Sequence, residues 1–555
     1  MLQMQNVWPR FKRYRPVFFL WLYRATLIAL FFAAWHFRTL LPPPPFSDPD
    51  TPGYLSPALQ LLTTGVYGYT WRGFPYPLFL TLILKICPQL EAIAWTQHAL
   101  GLATAALILL IFLRLRAFFP KGQILDWATR LVILVAVAVT GFCRFVLVME
   151  HSIRPEALFS LVSAGTLLLG VEFSRRALLR KETDWISSIL GSLLIVAAVG
   201  TYYVKPAWGL ALGTTLLPLY CAWIWIPRNW KWKLITTCTG IILALIGFVF
   251  PSLFLQKQYI ANTCGYLPPA LLCTHAEFLA DIMQKDALLL PPESQKRIYL
   301  LKFVEDTRKA MLRPSSERYG LALDPNDIMY GGPMDRLLKA LQKNGDSFPD
   351  FCYYYYFRGW KEHPLPMLGK IAKQMEFFYA PGEKNVYDIS AHLPLAKQYR
   401  NSLETFLDAR NDYVALSSTN TYGEFLHDPK LATLKPLKLP VRGKLGLLNE
   451  IFLPILLLAL GGAAIVLLSK NHYSELRPAA LCMLYLASFN FANSLTISII
   501  YMMDIDRYHY NQISMSLVSQ GFGFLFLLAM LKTTFGFLKF QGPSRHIGQT
   551  PQHNR

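Results

Sequence analysis

Ten runs of about twenty apolar residues dominate this chain, and that is the length a helix needs to cross the hydrocarbon layer of a bilayer. They lie at 17–41, 91–113, 128–148, 153–173, 185–204, 206–226, 234–255, 447–468, 478–502 and 509–531. Over 555 positions, 53% hydrophobic residues and only 16% charged ones, with a mean hydropathy of +0.31, fit one intramembrane bundle better than a string of soluble domains. The expected fold class is an all-α polytopic membrane protein of about ten transmembrane helices.

The formal charge of +20 does not point to nucleic acid, because the basic residues sit at the ends of the apolar runs instead of forming a polar, groove-lining stripe. One side collects Arg10, Lys12, Arg13 and Arg15, then Arg114, Arg116 and Lys121, then Arg175, Arg176, Arg180 and Lys181. The same side takes Arg228, Lys231 and Lys233, Lys470 and Arg477, and the tail residues Lys532, Lys539 and Arg545. Positive-inside bias makes that side cytoplasmic, with both termini on it. A further apolar run, Tyr76 to Ile86, is too short to span, is interrupted by Lys85 and stops before Pro88. Counting it as a crossing would put the Arg175 to Lys181 cluster outside, so it is predicted to lie in the interface. The first apolar run is too long for the core of a signal peptide and has no cleavage site close behind it, so it reads as an uncleaved span.

This topology divides the chain into four parts. An N-terminal transmembrane module covers 1–255 and contains a first outer loop at 42–90. A large non-cytoplasmic segment follows at 256–445, with amphipathic stretches at Ser294 to Met311, Met334 to Lys343 and Leu365 to Phe378 that predict a mostly helical cap. The C-terminal spans occupy 446–532 and a cytoplasmic tail 533–555. Pro42 to Pro45 reads as a stiff spacer lifting the first loop away from the membrane. The aromatic run Tyr353 to Phe357 with Trp360 suits either a headgroup layer or an ordinary core. Eight scattered cysteines show no zinc spacing. Cys264 and Cys273 could close a loop in an oxidising compartment or remain buried thiols.

Nearly all the unusual polar chemistry falls on the outer side. The first loop carries Asp48, Asp50 and Arg72, with Tyr54 ahead of an apolar stripe and a rigid Pro75-Tyr76-Pro77. The next outer loop holds Glu150, Arg154 and Glu156, a turn holds Lys205, and Asp504, Asp506 and Arg507 precede the last span. Each has a bland alternative: Asp50 and Glu156 as helix-start residues, Arg154 paired with a glutamate, Lys205 snorkelling, Arg507 paired with its neighbouring aspartates. Together they offer carboxylates for acid/base or metal work and, in Arg72, Arg154, Lys205 and Arg507, cations able to hold a phosphate. A substrate with an apolar tail and a phosphate head suits such a set.

The string Asp50-Thr-Pro-Gly-Tyr54, the Ala58-Leu-Gln-Leu-Leu run, Gly65 and Arg72-Gly-Phe-Pro-Tyr-Pro-Leu-Phe-Leu80 resemble the first outer loop of the GT-C membrane glycosyltransferases. The likeness is to the branch of the dolichyl-phosphate-mannose protein mannosyltransferases and the lipid A aminoarabinose transferase. Thr201 to Pro206 resembles that family's lysine-bearing turn, and Arg507-Tyr508 its late arginine-tyrosine pair. Asp48 and the size of 256–445 depart from the pattern.

The resemblance implies a sugar donor carried on a polyprenyl phosphate and delivery to a protein, lipid or envelope-glycan acceptor on the non-cytoplasmic face; the compact loops and the absence of a retrieval signal point to a bacterial inner membrane. It implies inverting transfer with Asp50 as general base and Lys205 and Arg507 on the departing phosphate. Glu150 or Glu156 would orient the acceptor or share a divalent cation with Asp48, and the need for a metal is left open. Tyr54 and Tyr76 would belong to the substrate loop. A transporter or flippase of lipid-linked sugars would share the bundle and the phosphate-binding cations, but the spans show no internal repeat and few midplane charges. A non-catalytic assembly subunit is the third reading.

Overall fold

A computed structural model describes residues 7–68, 72–226, 229–257, 267–315, 320–379, 387, 390–409, 417–440, 442–469, 472–500 and 505–540. Among them, ten helices are long and apolar enough to cross a membrane: 17–39, 91–118, 123–142, 156–179, 185–204, 206–225, 230–255, 445–468, 474–500 and 507–535. The chain is a predominantly helical, multi-pass integral membrane protein. Its described strands are His392–Leu393 and Leu437–Lys438, paired antiparallel. The Pro75–Ile86 helix has 12 residues, about 18 Å at 1.5 Å per residue, too short to cross a hydrocarbon layer of about 30 Å.

The tenth span is the axis of the bundle, with 72% of its most apolar stretch buried, whereas the first and seventh spans, at 6% and 11%, lie on the rim. The third span ends earlier than its apolar run predicts. Its helix stops at Phe142, Cys143 turns extended, and a separate short helix, Arg144–His151, follows. The break is stabilised from the first span: Arg38 donates to the carbonyls of Ala34 and Gly141 at 2.8 and 3.0 Å, satisfying an acceptor that the ended helix leaves over.

The predicted amphipathic stretches are helices Gln295–Leu312, Pro333–Lys343 and Pro364–Tyr379. The long segment is not one unit. Residues 272–355 pack around their own core, in which Leu300, Phe303, Leu341 and Tyr355 are buried. Residues 393–431 instead join the first loop, where Leu393, Tyr399 and Tyr422 pack with Phe46, Tyr54 and Tyr76. The aromatic run lies on helix Phe348–Glu362, with Tyr355 and Tyr356 buried and Tyr354 and Phe357 exposed. Cys273 sits in the 272–355 core against the Met329 sulfur at 3.6 Å; Cys264 lies outside the described residues.

Candidate active site at one end of the bundle

The proline run is a clamp, not a free spacer. Prolines have no N–H to give, so their carbonyls are the groups left to satisfy. Tyr399 and Tyr422 donate to Pro44 and Pro45, each at 2.8 Å, and His151 Nε2 lies 2.9 Å from Pro44 O. Phe46 then forms an isolated parallel bridge with Ser152, its N–H on His151 O at 2.8 Å and its carbonyl taking Ile153 N–H at 3.0 Å. The loop that presents Asp48 and Asp50 is thereby fixed to the loop that presents Arg154 and Glu156.

Asp50 stands where a helix cap would, just before helix Thr51–Thr64, yet its side chain makes no capping bond and its backbone is already helical. Its two carboxylate oxygens go instead to Arg72 and Arg507. Asp48 turns the loop by accepting from Asp50 N–H at 2.8 Å, and its other oxygen pairs with Arg154. Glu156 Oε1 accepts from both Lys205 Nζ at 2.7 Å and Arg507 Nε at 2.5 Å. Three carboxylates and four cations from five stretches of chain thus form one connected cluster. Glu156 is fully buried, whereas the Asp48 and Asp50 side chains each keep 19% exposure, so the aspartates mark the accessible edge.

Aromatic rings hold the cations in place. The Arg72 guanidinium lies 5.0 Å from the Tyr54 ring centre, and Tyr54 meets Tyr76 edge to face at 5.2 Å. Tyr76 OH donates to Gln97 Oε1 at 2.7 Å, and Gln97 in turn donates to the carbonyls of Glu150 and Ser152. Lys205 Nζ is 5.5 Å from the Tyr508 ring. Gly73 lets the Arg72 loop reach the lysine turn, because a Cβ there would stand 2.3 Å from the carbonyl oxygen of Tyr203.

The environment drives the two aspartates apart. Burial pushes both upward; for Asp50 the charges of Arg507 and Arg72 outweigh it and hold the carboxyl at about 2. For Asp48 burial wins over Arg154, aided by the Asp50 charge, and the pKa is raised. Lys205 is pushed down to about 7 by burial, with Glu156 opposing and Arg507 reinforcing the shift. Neighbouring acids with separated pKa values are what acid/base chemistry needs.

Glu150 is set apart from this cluster. It receives a two-point bond from Arg38, Nε to Oε2 at 2.7 Å and Nη2 to Oε1 at 2.8 Å, and lies 3.0 Å from His98 Nδ1; both members of the ion pair are fully buried. His98 Nε2 continues to His151 Nδ1 at 3.1 Å. Arg38, His98 and Tyr399 join these networks without a local sequence pattern that predicts them. A charged residue at the end of the first apolar run and a histidine inside the second were the signal available. Asp504 and the side chain of Asp506 lie outside the described residues. Among the described residues, no group of three or more His, Cys, Asp or Glu side chains stands close enough to hold a metal ion; Asp48, Asp50 and Glu156 all turn to cations.

No family model, no curated protein and no solved structure matches this chain.

Proposed function

We propose that this protein is a membrane glycosyltransferase that takes a sugar from a polyprenyl-phosphate donor and passes it to a hydroxyl acceptor at the outer end of the bundle. The observation that supports this reading best is the position of Arg507, shared between Asp50 and Glu156, with Lys205 on the same glutamate oxygen. Four cations against three carboxylates leave the cluster with surplus positive charge beside an apolar bundle, a suitable place for a lipid phosphate.

A bound phosphate competes with Asp50 for Arg507. As the guanidinium turns toward the phosphate oxygens, Asp50 loses the partner that most depresses its pKa and becomes a stronger base. The acceptor hydroxyl oxygen then attacks the anomeric carbon from the face opposite the phosphate, and its proton passes to Asp50. The bond between that carbon and the phosphate oxygen breaks with its electron pair on the phosphate, where Arg507 and Lys205 stabilise the new charge. Glu156 keeps the two cations aligned, and Arg154 holds Asp48 and the loop in register. The reading places the reaction on the non-cytoplasmic face, following the distribution of basic residues.

The test is to incubate the purified protein with a panel of radiolabelled polyprenyl-phosphate sugars and membrane extract, and to ask whether label becomes covalently attached to any component of the extract. Movement of the lipid-linked sugar across vesicles without covalent transfer would overturn the assignment in favour of a transporter.

A further inference from the structure

A cleft of about 520 Å³ opens between the end of the fourth span, the second half of the sixth and the beginning of the ninth. It lies at the end of the bundle away from Asp50. The ninth-span helix runs from Arg477 to Ile500; its far end receives Lys370 of the outer segment on Ser498 O at 2.7 Å, whereas the cleft occupies its first half, Arg477 to Ser488. The volume falls in the range of about 300–1,000 Å³ common for ligand sites.

Two irregularities keep its walls from closing. The fourth span ends in a π-helical turn, Ser174–Leu179. The sixth is interrupted at Leu216, where Pro218 enters the helix Leu217–Trp225 without an N–H to continue the ladder. The walls are mainly hydrocarbon: Leu178, Leu217, Leu481, Leu484 and Trp225. The hydroxyls that line it are engaged by the protein itself. Ser174 donates to Gly170 O at 2.7 Å, Ser488 to Tyr485 O at 2.9 Å and Tyr485 to Thr215 O at 3.4 Å. Among the described residues that line it, the charged one is Arg477, half-buried at the end, with one Nη donating to Ser469 O at 2.7 Å.

We propose that this cleft holds one acyl chain of an anionic phospholipid from the adjoining leaflet, with the lipid phosphate at Arg477. Helix rise from Arg477 to Ser488 covers about 16 Å, roughly half of a 30 Å hydrocarbon core and so one leaflet deep. Walls whose polar groups are already satisfied offer nothing to a sugar or a peptide, whereas an alkyl chain restores the dispersion contacts that an open slot lacks. A guanidinium at the headgroup end selects an anion. This site is independent of the glycosyltransferase reading.

The test places the full-length protein in nanodiscs of equal phosphatidylglycerol and phosphatidylcholine, with a trace of phosphatidylglycerol carrying a diazirine midway along one chain. After irradiation, labelled peptides are mapped. Label is expected to concentrate on 174–179, 217–225 and 481–488 relative to the lipid-exposed seventh span. Arg477→Gln is expected to lower it about tenfold, the loss of a charge-assisted contact, and to lower labelling by a phosphatidylcholine probe less, because choline already neutralises that phosphate. Leu484→Trp, which fills the slot, is expected to exclude both probes, with size-exclusion behaviour and thermal unfolding confirming that each variant is folded. Even labelling of all spans, or wild-type labelling in folded Arg477→Gln, would overturn the proposal.

Discussion

Oε1 of Glu156 accepts a hydrogen bond from Nε of Arg507 at 2.5 Å across 351 positions of sequence, joining the first turn of the fourth span to the head of the tenth. The same oxygen carries Lys205. Removing the negative charge leaves two buried cations facing each other. Glu156→Gln is therefore expected to cost about 3–5 kcal/mol, the penalty of breaking a buried ion network. It should appear as a large fall in thermal unfolding temperature in detergent. A variant as stable as the parent would show that the network contributes little.

Lys205 gives the site a pH limb. Burial holds its pKa at about 7, so the ammonium is present below that pH and is lost as pH rises through it. If Lys205 grips the donor phosphate, kcat/KM for the donor should be highest on the acid side and fall between about pH 7 and 9. Lys205→Arg, which keeps its charge throughout, should flatten that limb. Asp50, at about 2, stays ionised over the same range and adds no limb of its own.

Gly73 tests how closely the arginine loop must approach the lysine turn. A methyl group at that position would lie 2.3 Å from Tyr203 O, whereas one at Gly213 would meet nothing within 4 Å. Gly73→Ala should destabilise by about 1–3 kcal/mol and raise the KM for the donor, because the shift carries Arg72 away from Asp50. Gly213→Ala should leave both quantities near the parent. Equal behaviour of the two variants would contradict this account of the loop.

Glu150 and Glu156 are expected to part company under mutation. Glu150 neutralises Arg38 in a fully buried pair, so Glu150→Gln should lower stability by several kcal/mol. Turnover per folded molecule should stay within about threefold, since the residue does not reach the aspartates. A stable but inactive Glu150→Gln protein would move this glutamate back into the chemistry.

The transmembrane framework was legible because span length and terminal charge are one-dimensional properties. Among the described residues, ten apolar helices overlap the ten apolar runs, the third ending early at Phe142, and Pro75–Ile86 is as short as its sequence requires. What the sequence hid was direction. Glu150 and Glu156 are six residues apart, but the first ends the short helix Arg144–His151 and the second begins a new one after Pro155, so they serve different networks. The break after Phe142 depends on Arg38 reaching Gly141 O across 103 positions, and no local pattern encodes that contact. Asp50 illustrates the same point. Its position before a helix favours a cap, and only the tertiary arrival of Arg72 and Arg507 turns its carboxylate elsewhere.

On the proposed mechanism Asp50 receives the acceptor proton while Arg507 and Lys205 hold the donor phosphate. The most direct measurement is transfer of label from a polyprenyl-phosphate sugar to membrane extract by purified wild-type protein and by Asp50→Asn, with unfolding curves recorded for both. Wild type should transfer label, and the folded variant should lose at least about a hundredfold in rate, the usual contribution of a general base. A folded Asp50→Asn protein that transfers at the wild-type rate, or a wild-type protein that uses no polyprenyl-phosphate sugar, would contradict the account.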